Sequence, residues 1–131
     1  MYNTVYCTKE FEFEAAHHLL NYDGACANVH GHSYKLQVTV SGKIDLTQST
    51  YANECMVIDF KDLKKLVEDR VIRTHDHADL NKLYENPTAE VMVVAMYFII
   101  YAGLPRDVHL ESVKLWETST SYAEYRGEVD E

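Results

Sequence analysis

The chain has 131 residues, of which 47% are hydrophobic, and this is enough for one domain with a buried core. Ten tyrosines, four phenylalanines and one tryptophan exclude a disordered chain, because disordered segments lack such large apolar side chains. The 12 basic residues are outnumbered by 21 acidic ones, and the net charge of −9 argues against binding of nucleic acid. We therefore expect a single domain over residues 1–131 that has no nucleic-acid partner.

Cysteine usage and hydropathy indicate the compartment. The three cysteines, Cys7, Cys26 and Cys55, form no disulfide framework, and we expect Cys7 and Cys55 to be buried thiols. The first residues show no secretory leader. The longest apolar stretch, 91–104, has 14 residues, whereas a membrane span needs roughly 20. We therefore expect a soluble, cytoplasmic protein with no membrane partner.

Two long strands are predicted in the first third of the chain. Over residues 8–19, glutamates alternate with apolar side chains, and this period of two places His17 on the apolar face. Over residues 30–42, His30 and His32 share a face with apolar residues, while the opposite face is polar. Because a polar segment with an Asp-Gly turn signal separates the two strands, we expect a long antiparallel hairpin.

Two helices and two further strands are predicted in the rest of the chain. The first helix begins after Asp59, a good N-terminal cap, and its apolar residues recur at helical spacing. Residues 74–86 predict an irregular loop, and the second helix begins at residues 86–88 and ends at Gly103. The second helix is apolar on nearly every side, which indicates contact with another subunit. The remaining strands are predicted over residues 108–118 and 121–126.

Three histidines favour a catalytic zinc site. His30 and His32 are two residues apart on a strand, so both imidazoles point to one side, and His17 lies on the matching face of the neighbouring strand. Three protein ligands with one open position are typical of catalytic Zn²⁺. His18 points to the opposite face and is the less suitable ligand. The alternative is that these are core histidines satisfied by hydrogen bonds, or a surface pair.

Two further segments carry groups for proton transfer. Asp76 beside His77 suits an acid–base pair, because a carboxylate orients an imidazole and raises its basicity. His75 is interpreted as incidental. Cys26 lies four residues before His30, where a thiol near Zn²⁺ can serve as base or nucleophile. Alternatively, Cys26 is a fourth zinc ligand, which would close the site and make it structural.

Acidic and hydroxyl groups near element ends are candidates for substrate binding. Glu117 lies on the inward face of the third long strand, and its carboxylate suits a flat pair of donors, either arginine or the N–H edge of a guanine-like ring. The alternative is an ordinary surface glutamate. Thr88 and Glu90 stand at a helix start, where capping and a favourable charge on the helix dipole already explain them.

Seven motifs follow one another along the chain: Phe13-Glu14-Ala15-Ala16-His17, Cys26-x3-His30-Gly31-His32, Val57-Ile58-Asp59-Phe60, Asp76-His77-x2-Leu80-Asn81, Asn86-Pro87-Thr88-x-Glu90, Glu117-Thr118 and Tyr125-Arg126-Gly127. Together they resemble the 6-pyruvoyltetrahydropterin synthase superfamily. Within it, the chain most resembles the bacterial 6-carboxy-5,6,7,8-tetrahydropterin synthase family, and the three-residue gap between Cys26 and His30 is typical of that branch. The resemblance covers nearly the whole chain.

The resemblance implies an α+β tunnelling fold, in which a four-stranded antiparallel sheet carries two helices on one face. It also implies that subunits close their sheets into a barrel, so we expect a homotrimer or homohexamer with active sites between subunits. Closure of the barrel would remove exposed sheet edges, and assembly would account for the apolar second helix.

The same resemblance implies roles for the candidate residues. The implied zinc ligands are His17, His30 and His32. The implied proton acceptor is Cys26. The implied relay and substrate-anchoring residues are Asp76, His77 and Glu117. The implied further pterin contacts are Thr88 and Glu90. Two residues depart from the family pattern and are expected at most to tune specificity: His18, where arginine is common, and His75, where leucine is common.

The implied substrate is 7,8-dihydroneopterin triphosphate, with Zn²⁺ as cofactor. The expected reaction releases triphosphate and acetaldehyde and yields 6-carboxy-5,6,7,8-tetrahydropterin, in the biosynthesis of queuosine and other 7-deazaguanines. One alternative is a synthase that stops at 6-pyruvoyltetrahydropterin. Another is a non-catalytic module that binds zinc or a pterin.

Overall fold

Five strands and three helices are present in the residues that the computed structural model describes, which are 2–20, 24, 28–47 and 50–128. In chain order they are β1 (Tyr2–His17), β2 (His30–Asp45), α1 (Phe60–Val67), α2 (Arg73–His75), β3 (Ala78–Asp79), α3 (Ala89–Tyr101), β4 (His109–Thr118) and β5 (Ser121–Tyr125). Short 3₁₀ turns lie at Ala52–Cys55 and Leu80–Lys82, and a π-helical turn, Glu68–Ile72, joins α1 to α2.

The strands form one sheet in the order β3-β1-β2-β4-β5. β1 and β2 form the expected antiparallel hairpin, from Tyr2 opposite Asp45 at one end to His17 opposite His30 at the other. β4 pairs antiparallel with both β2 and β5. One end of the sheet therefore brings together the last residues of β1, the first residues of β2 and the last residues of β4.

The sheet is mixed and has one strand more than the four antiparallel strands that were expected. The additional strand, β3, pairs in parallel with Ala15 and Ala16 of β1. It lies within residues 74–86, which were predicted to be an irregular loop. Two residues are too few to show a period of two, so only the tertiary pairing reveals this strand.

The hydrophobic core lies between the helices and one face of the sheet. Along β1, Phe11, Phe13 and Ala15 are buried, whereas Glu12 and Glu14 on the opposite face are exposed. The helices contribute buried residues to the same cluster: Leu63, Val67, Val71, Met92, Val93, Met96 and Ile100. Burial of each large apolar side chain contributes roughly 1.5–3 kcal/mol, so the alternation predicted from sequence decides which face the helices cover.

Both long helices begin where the sequence predicts. Asp59 accepts a hydrogen bond from the backbone N–H of Lys61 at 2.9 Å, and Thr88 Oγ1 accepts one from Val91 at 3.2 Å. The helical backbone that starts at α1 continues through the π-helical turn as far as His75, two residues into the predicted loop.

α3 is largely apolar, and one side of it remains exposed. We call the residues of this side the α3 stripe: Val91, Val94, Phe98 and Tyr101, which are between 37% and 59% exposed. Within the described residues, β3 covers the outer edge of β1 only at Ala15 and Ala16. No described helix is long and apolar enough to cross a membrane.

Candidate metal centre and active site

Three histidine side chains meet at the end of the β1–β2 hairpin. His17 ends β1 opposite His30, and His32 follows two residues later on the same face of β2. Their ring centroids are 4.7–5.0 Å apart, and one nitrogen from each ring lies within 4.8 Å of the other two. His18 is not part of this group, as the strand parity predicts; its backbone instead pairs with the Asn81 side chain.

Backbone carbonyls select the ring nitrogens that face the cluster. His17 Nδ1 lies 2.8 Å from the carbonyl oxygen of Pro87, and His30 Nδ1 lies 2.7 Å from that of Asn28. Because a carbonyl oxygen only accepts, Nδ1 carries the hydrogen in both rings and Nε2 presents its lone pair. The two Nε2 atoms are 3.2 Å apart. Carbonyl contacts of this kind orient histidines that bind metals, and a cation can satisfy both lone pairs.

His32 adds a buried nitrogen that has no hydrogen-bond partner among the described residues. This atom, Nε2, lies 3.5 Å from Glu117 Oε1. Burial is the main cause that lowers the pKa of His32; the Glu117 carboxylate opposes this effect, and the other two histidines add to it. An unsatisfied buried polar atom costs ~1–3 kcal/mol, and a metal bound by the deprotonated nitrogen would offset this cost. Three imidazole nitrogens therefore fit a metal ion here, and this donor set suits zinc among others.

Glu117 connects the histidine cluster to a neighbouring cleft. This cleft, of about 480 Å³, is lined by both Glu117 and Glu90 and by residues of β5. The structure thus brings together two of the predicted substrate-binding residues. Thr88 is not among the lining residues, and its hydroxyl caps α3, which is the structural role already recognised from the sequence.

Asp76 and His77 form a pair on the other side of the cluster. Asp76 Oδ1 accepts a hydrogen bond from the backbone N–H of Glu14 at 3.0 Å and lies 3.1 Å from His77 Nδ1. The Glu14 N–H, and next to it His77, hold the pKa of Asp76 below its ordinary value. His77 and His32 line one cleft of about 350 Å³. His77 of the predicted acid–base pair and His32 of the histidine cluster therefore border the same cleft, whereas Asp76, His17 and His30 are not among its lining residues.

The cysteine predictions have different outcomes. Cys26 lies outside the described residues. Cys7 is half-buried, and Cys55 is exposed, so the expectation of burial is wrong for Cys55. Cys55 belongs to a short 3₁₀ turn in a polar segment, and such a turn lies at the surface where a single apolar residue is not drawn into the core.

Two residues near the site were not recognised from the sequence as structurally important. His75 is not incidental: it is 3% exposed, and its Nε2 lies 2.7 Å from the hydroxyl of Tyr84. A signal for His75 does exist, because it continues the four-residue spacing of buried residues on the first helix. These residues are Leu63, Val67 and Val71. For Tyr84, within a segment of turn composition, the sequence offers no comparable signal.

Known proteins resemble this chain in both sequence and structure. The family model described as 6-pyruvoyl tetrahydropterin synthase matches residues 6–128. Two relatives are named 6-carboxy-5,6,7,8-tetrahydropterin synthase. The one from Haemophilus influenzae is 36% identical and covers 91% of this chain and 96% of its own length. The one from Synechocystis sp. is 38% identical and covers 89% of each chain.

A solved structure shows the same fold. The 6-pyruvoyl tetrahydropterin synthase of Caenorhabditis elegans aligns with a TM-score of 0.80 and 28% sequence identity, covering 96% of this chain and 97% of the other. The likeness therefore extends over the sheet, the helices and the end of the hairpin that carries the histidines.

Proposed function

Because the chain belongs to the 6-pyruvoyl tetrahydropterin synthase family of enzymes, we propose that it is a zinc-dependent lyase acting on 7,8-dihydroneopterin triphosphate. The proposed products are 6-carboxy-5,6,7,8-tetrahydropterin, triphosphate and acetaldehyde. The names of the two bacterial relatives support this choice of product. The proposed setting is the cytoplasm, in the biosynthesis of queuosine and other 7-deazaguanines.

The observation that carries this proposal is the cluster of His17, His30 and His32 with its inward-facing nitrogens. The buried, unpartnered Nε2 of His32 supports a metal at this point. The neighbouring clefts, one lined by His77 and His32 and one lined by Glu117, suit a substrate that has both a ring and a reactive side chain.

The protein groups around the cluster have separate proposed roles. When bound by the three histidines, zinc supplies Lewis acidity toward oxygens of the substrate side chain. Glu117 accepts hydrogen bonds from the 2-amino group and N3–H of the pterin ring. Cys26 accepts a proton from the substrate side chain, and Asp76 with His77 holds or delivers the second proton. Thr88 and Glu90 are proposed to stand close to the pterin.

We also propose that the active protein is a homotrimer or homohexamer with active sites between subunits. The α3 stripe supports this, because a helix with apolar residues on all sides needs more than one sheet face to bury them. The outer edge of β1 from Tyr2 to Phe13, which no other strand pairs with among the described residues, supports it as well, since sheet edges are commonly paired in an assembly.

Product analysis tests the function. The zinc-loaded protein is incubated with 7,8-dihydroneopterin triphosphate, and pterins and acetaldehyde are measured by mass spectrometry. We expect the 6-carboxy product together with acetaldehyde, and neither from a His30→Ala control. Absence of both from a protein with about one zinc per chain would contradict the proposal and favour a non-catalytic zinc or pterin module.

A second candidate is a synthase that stops at the 6-pyruvoyl compound. The structural likeness to the Caenorhabditis elegans 6-pyruvoyl tetrahydropterin synthase favours it. The same assay separates the two: accumulation of the diketo product without acetaldehyde would assign this chain to the second activity.

A further inference from the structure

His75 is a buried histidine outside the metal cluster. It is the last residue of α2 and is 3% exposed. Its ring lies between Phe13 and Tyr84, with ring centroids 5.8 Å and 5.7 Å away. Histidine is seldom buried to this extent without partners for its nitrogens, so its surroundings need an explanation.

Both ring nitrogens of His75 have partners. Nδ1 lies 2.7 Å from the carbonyl oxygen of Val71, so this nitrogen is the one that carries a hydrogen. Nε2 lies 2.7 Å from the hydroxyl oxygen of Tyr84. Burial lowers the pKa of His75 and raises the pKa of Tyr84 to about 12. The ring is therefore neutral near pH 7, and the tyrosine hydroxyl donates to Nε2.

The hydrogen bond between His75 and Tyr84 closes a loop, 76–83, that we call the relay loop. The relay loop begins with the Asp76–His77 pair and continues through β3. It is attached to the end of β1 at several points. Asp76 accepts from the Glu14 N–H, and the Asn81 side chain exchanges two hydrogen bonds with the His18 backbone at 2.9 and 3.0 Å.

The backbone of His77 makes the relay loop dependent on these attachments. His77 has φ 60°, in the left-handed region that non-glycine residues seldom adopt. Such a conformation costs about 1–3 kcal/mol and persists only when its surroundings hold it. On one side of His77, its N–H donates to the carbonyl of Glu14. Two residues earlier, the chain is also anchored by the buried His75 ring, and on the other side of His77 it is held by the pairing of β3 with β1.

We propose that His75 and Tyr84 are a positioning pair, which holds the Asp76–His77 turn against β1 in the geometry needed for proton transfer. The proposal rests on the role of Asp76 and His77 in the proposed function. Neither His75 nor Tyr84 lines the cleft shared by His77 and His32, so both act through the backbone of the relay loop.

Three variants test the pair. Tyr84→Phe keeps the aromatic ring and removes only the hydroxyl, which donates a hydrogen bond to Nε2 of His75. The double variant His75→Leu/Tyr84→Phe removes both polar partners, and it is expected to fold even if the single variant does not, since no buried group is left unpaired. Tyr51→Phe is the matched control, because this tyrosine is exposed and lies outside both the relay loop and the α3 stripe.

The readouts are hydrogen–deuterium exchange of the zinc-loaded protein and steady-state kinetics. In both Tyr84 variants we expect amide exchange in peptides covering Glu14 and His77 to be at least about tenfold faster, with exchange in the centre of β2 unchanged. We expect kcat to fall about 10–100-fold with KM within twofold, because a small misplacement of catalytic groups has effects of this size. The Tyr51→Phe control should match the unmodified protein in amide exchange, kcat and KM.

Unchanged exchange at Glu14 and His77 in either Tyr84 variant would overturn the positioning pair, whatever happens to activity. A double variant that regains normal exchange and kcat would also overturn it, because the pair would then be only a matter of packing. Faster exchange with an unchanged kcat would support the attachment of the loop and contradict the relay role of Asp76 and His77, which belongs to the proposed function.

Discussion

At the scale of single residues, the orientation of ring nitrogens separates the candidate ligands from the other histidines. His17 and His30 each donate from Nδ1 to a backbone carbonyl and leave Nε2 for the cluster. In His75, both nitrogens are already occupied by protein groups. Burial alone does not distinguish these residues, since His17 and His75 are both almost fully buried. The group that each ring nitrogen contacts does distinguish the candidate ligands from the other histidines.

The first prediction concerns the choice between adjacent histidines. His17→Ala should lose bound zinc, because the remaining two histidines leave the site with too few protein ligands. His18→Ala should retain about one zinc per chain, since His18 is attached through its backbone to Asn81 and its ring is outside the cluster. Metal analysis by mass spectrometry after dialysis measures both. Loss of zinc in His18→Ala alone would show that the strand-parity argument is wrong.

Cys26→Ala separates catalysis from metal binding. If Cys26 is a proton acceptor, this variant keeps zinc at full stoichiometry and still binds the pterin. Its kcat should fall by roughly 10²–10⁴-fold, the usual contribution of a positioned acid–base group. Zinc content and single-turnover kinetics are the measurements, with Cys55→Ala, an exposed cysteine, as control. Loss of zinc from Cys26→Ala would instead identify Cys26 as a fourth ligand in a closed structural site.

Glu117→Gln should impair binding of the substrate as well as its turnover. The amide keeps one acceptor but directs a donor at the donors of the pterin ring, and a mismatched buried polar group costs ~1–3 kcal/mol. The dissociation constant should therefore rise about 5–150-fold, while zinc content stays unchanged. Titration of the pterin by fluorescence measures this. Glu111→Gln, at the other end of β4, is the control, and equal affinity losses in both variants would contradict the assignment.

At the scale of elements, the helix from α1 to α2 and the relay loop bring groups that are distant along the chain onto the end of β1. The spacing of Leu63, Val67 and Val71 predicts the buried side of this helix, and the same spacing ends at a titratable residue, His75. A neutral buried histidine couples this element to pH, because the unfolded chain binds a proton that the folded state disfavours.

The sign of this coupling yields a further prediction. An unfolded histidine titrates near pH 6.5, whereas burial lowers the pKa of folded His75. The neutral His75 ring makes its full contribution to the free energy of unfolding above about pH 6.5. As the pH decreases from there toward the folded pKa of His75, the free energy of unfolding falls. Between pH 7.5 and 5, the double variant His75→Leu/Tyr84→Phe should therefore lose less stability than the unmodified protein.

Urea denaturation of the metal-free protein at a fixed protomer concentration measures this pH dependence. His109→Leu is the matched control, since it makes the same substitution at an exposed histidine of β4. An equally steep pH dependence in the double variant and the unmodified protein would mean that His75 is not the titrating group.

At the scale of the whole molecule, the part of the chain that the structure describes leaves apolar surface and a strand edge uncovered. The α3 stripe comprises four large apolar residues on one side of a helix whose other sides are in the core. Contiguous apolar surface of this kind usually marks an interface. The uncovered edge of β1 provides backbone groups for pairing with another strand.

We therefore expect a trimer or hexamer by sedimentation at micromolar concentration. Phe98→Glu, which places a charge in the middle of the α3 stripe, should shift the protein to monomers and abolish turnover if active sites lie between subunits. Tyr51→Glu changes an equally large exposed residue elsewhere and should leave the assembly intact. A stable monomer of the unmodified chain would contradict the assembly and, with it, sites formed between subunits.

Much of the fold could be predicted from short-range pattern. The alternation along β1 and β2, the caps Asp59 and Thr88 and the glycine after α3 are local signals, and the structure confirms the elements they predict. β3 and the continuation of the first helix to His75 were missed. β3 depends on its pairing with β1, which lies 60 residues or so earlier in the chain, and no local pattern records such a pairing. The continuation of the helix did leave a local signal, because His75 extends the four-residue spacing of Leu63, Val67 and Val71.

In the candidate site, too, some features follow from local sequence and others from contacts between distant parts of the chain. By itself, the sequence determined that His17, His30 and His32 share a face, because side chains two residues apart on a strand point to the same side. Only the tertiary structure decided which nitrogen His17 presents, since the Pro87 carbonyl that orients this ring comes from the approach to α3. It also decided that His75 is anchored by Tyr84, because burial requires each polar atom to find a partner wherever the folded chain supplies one.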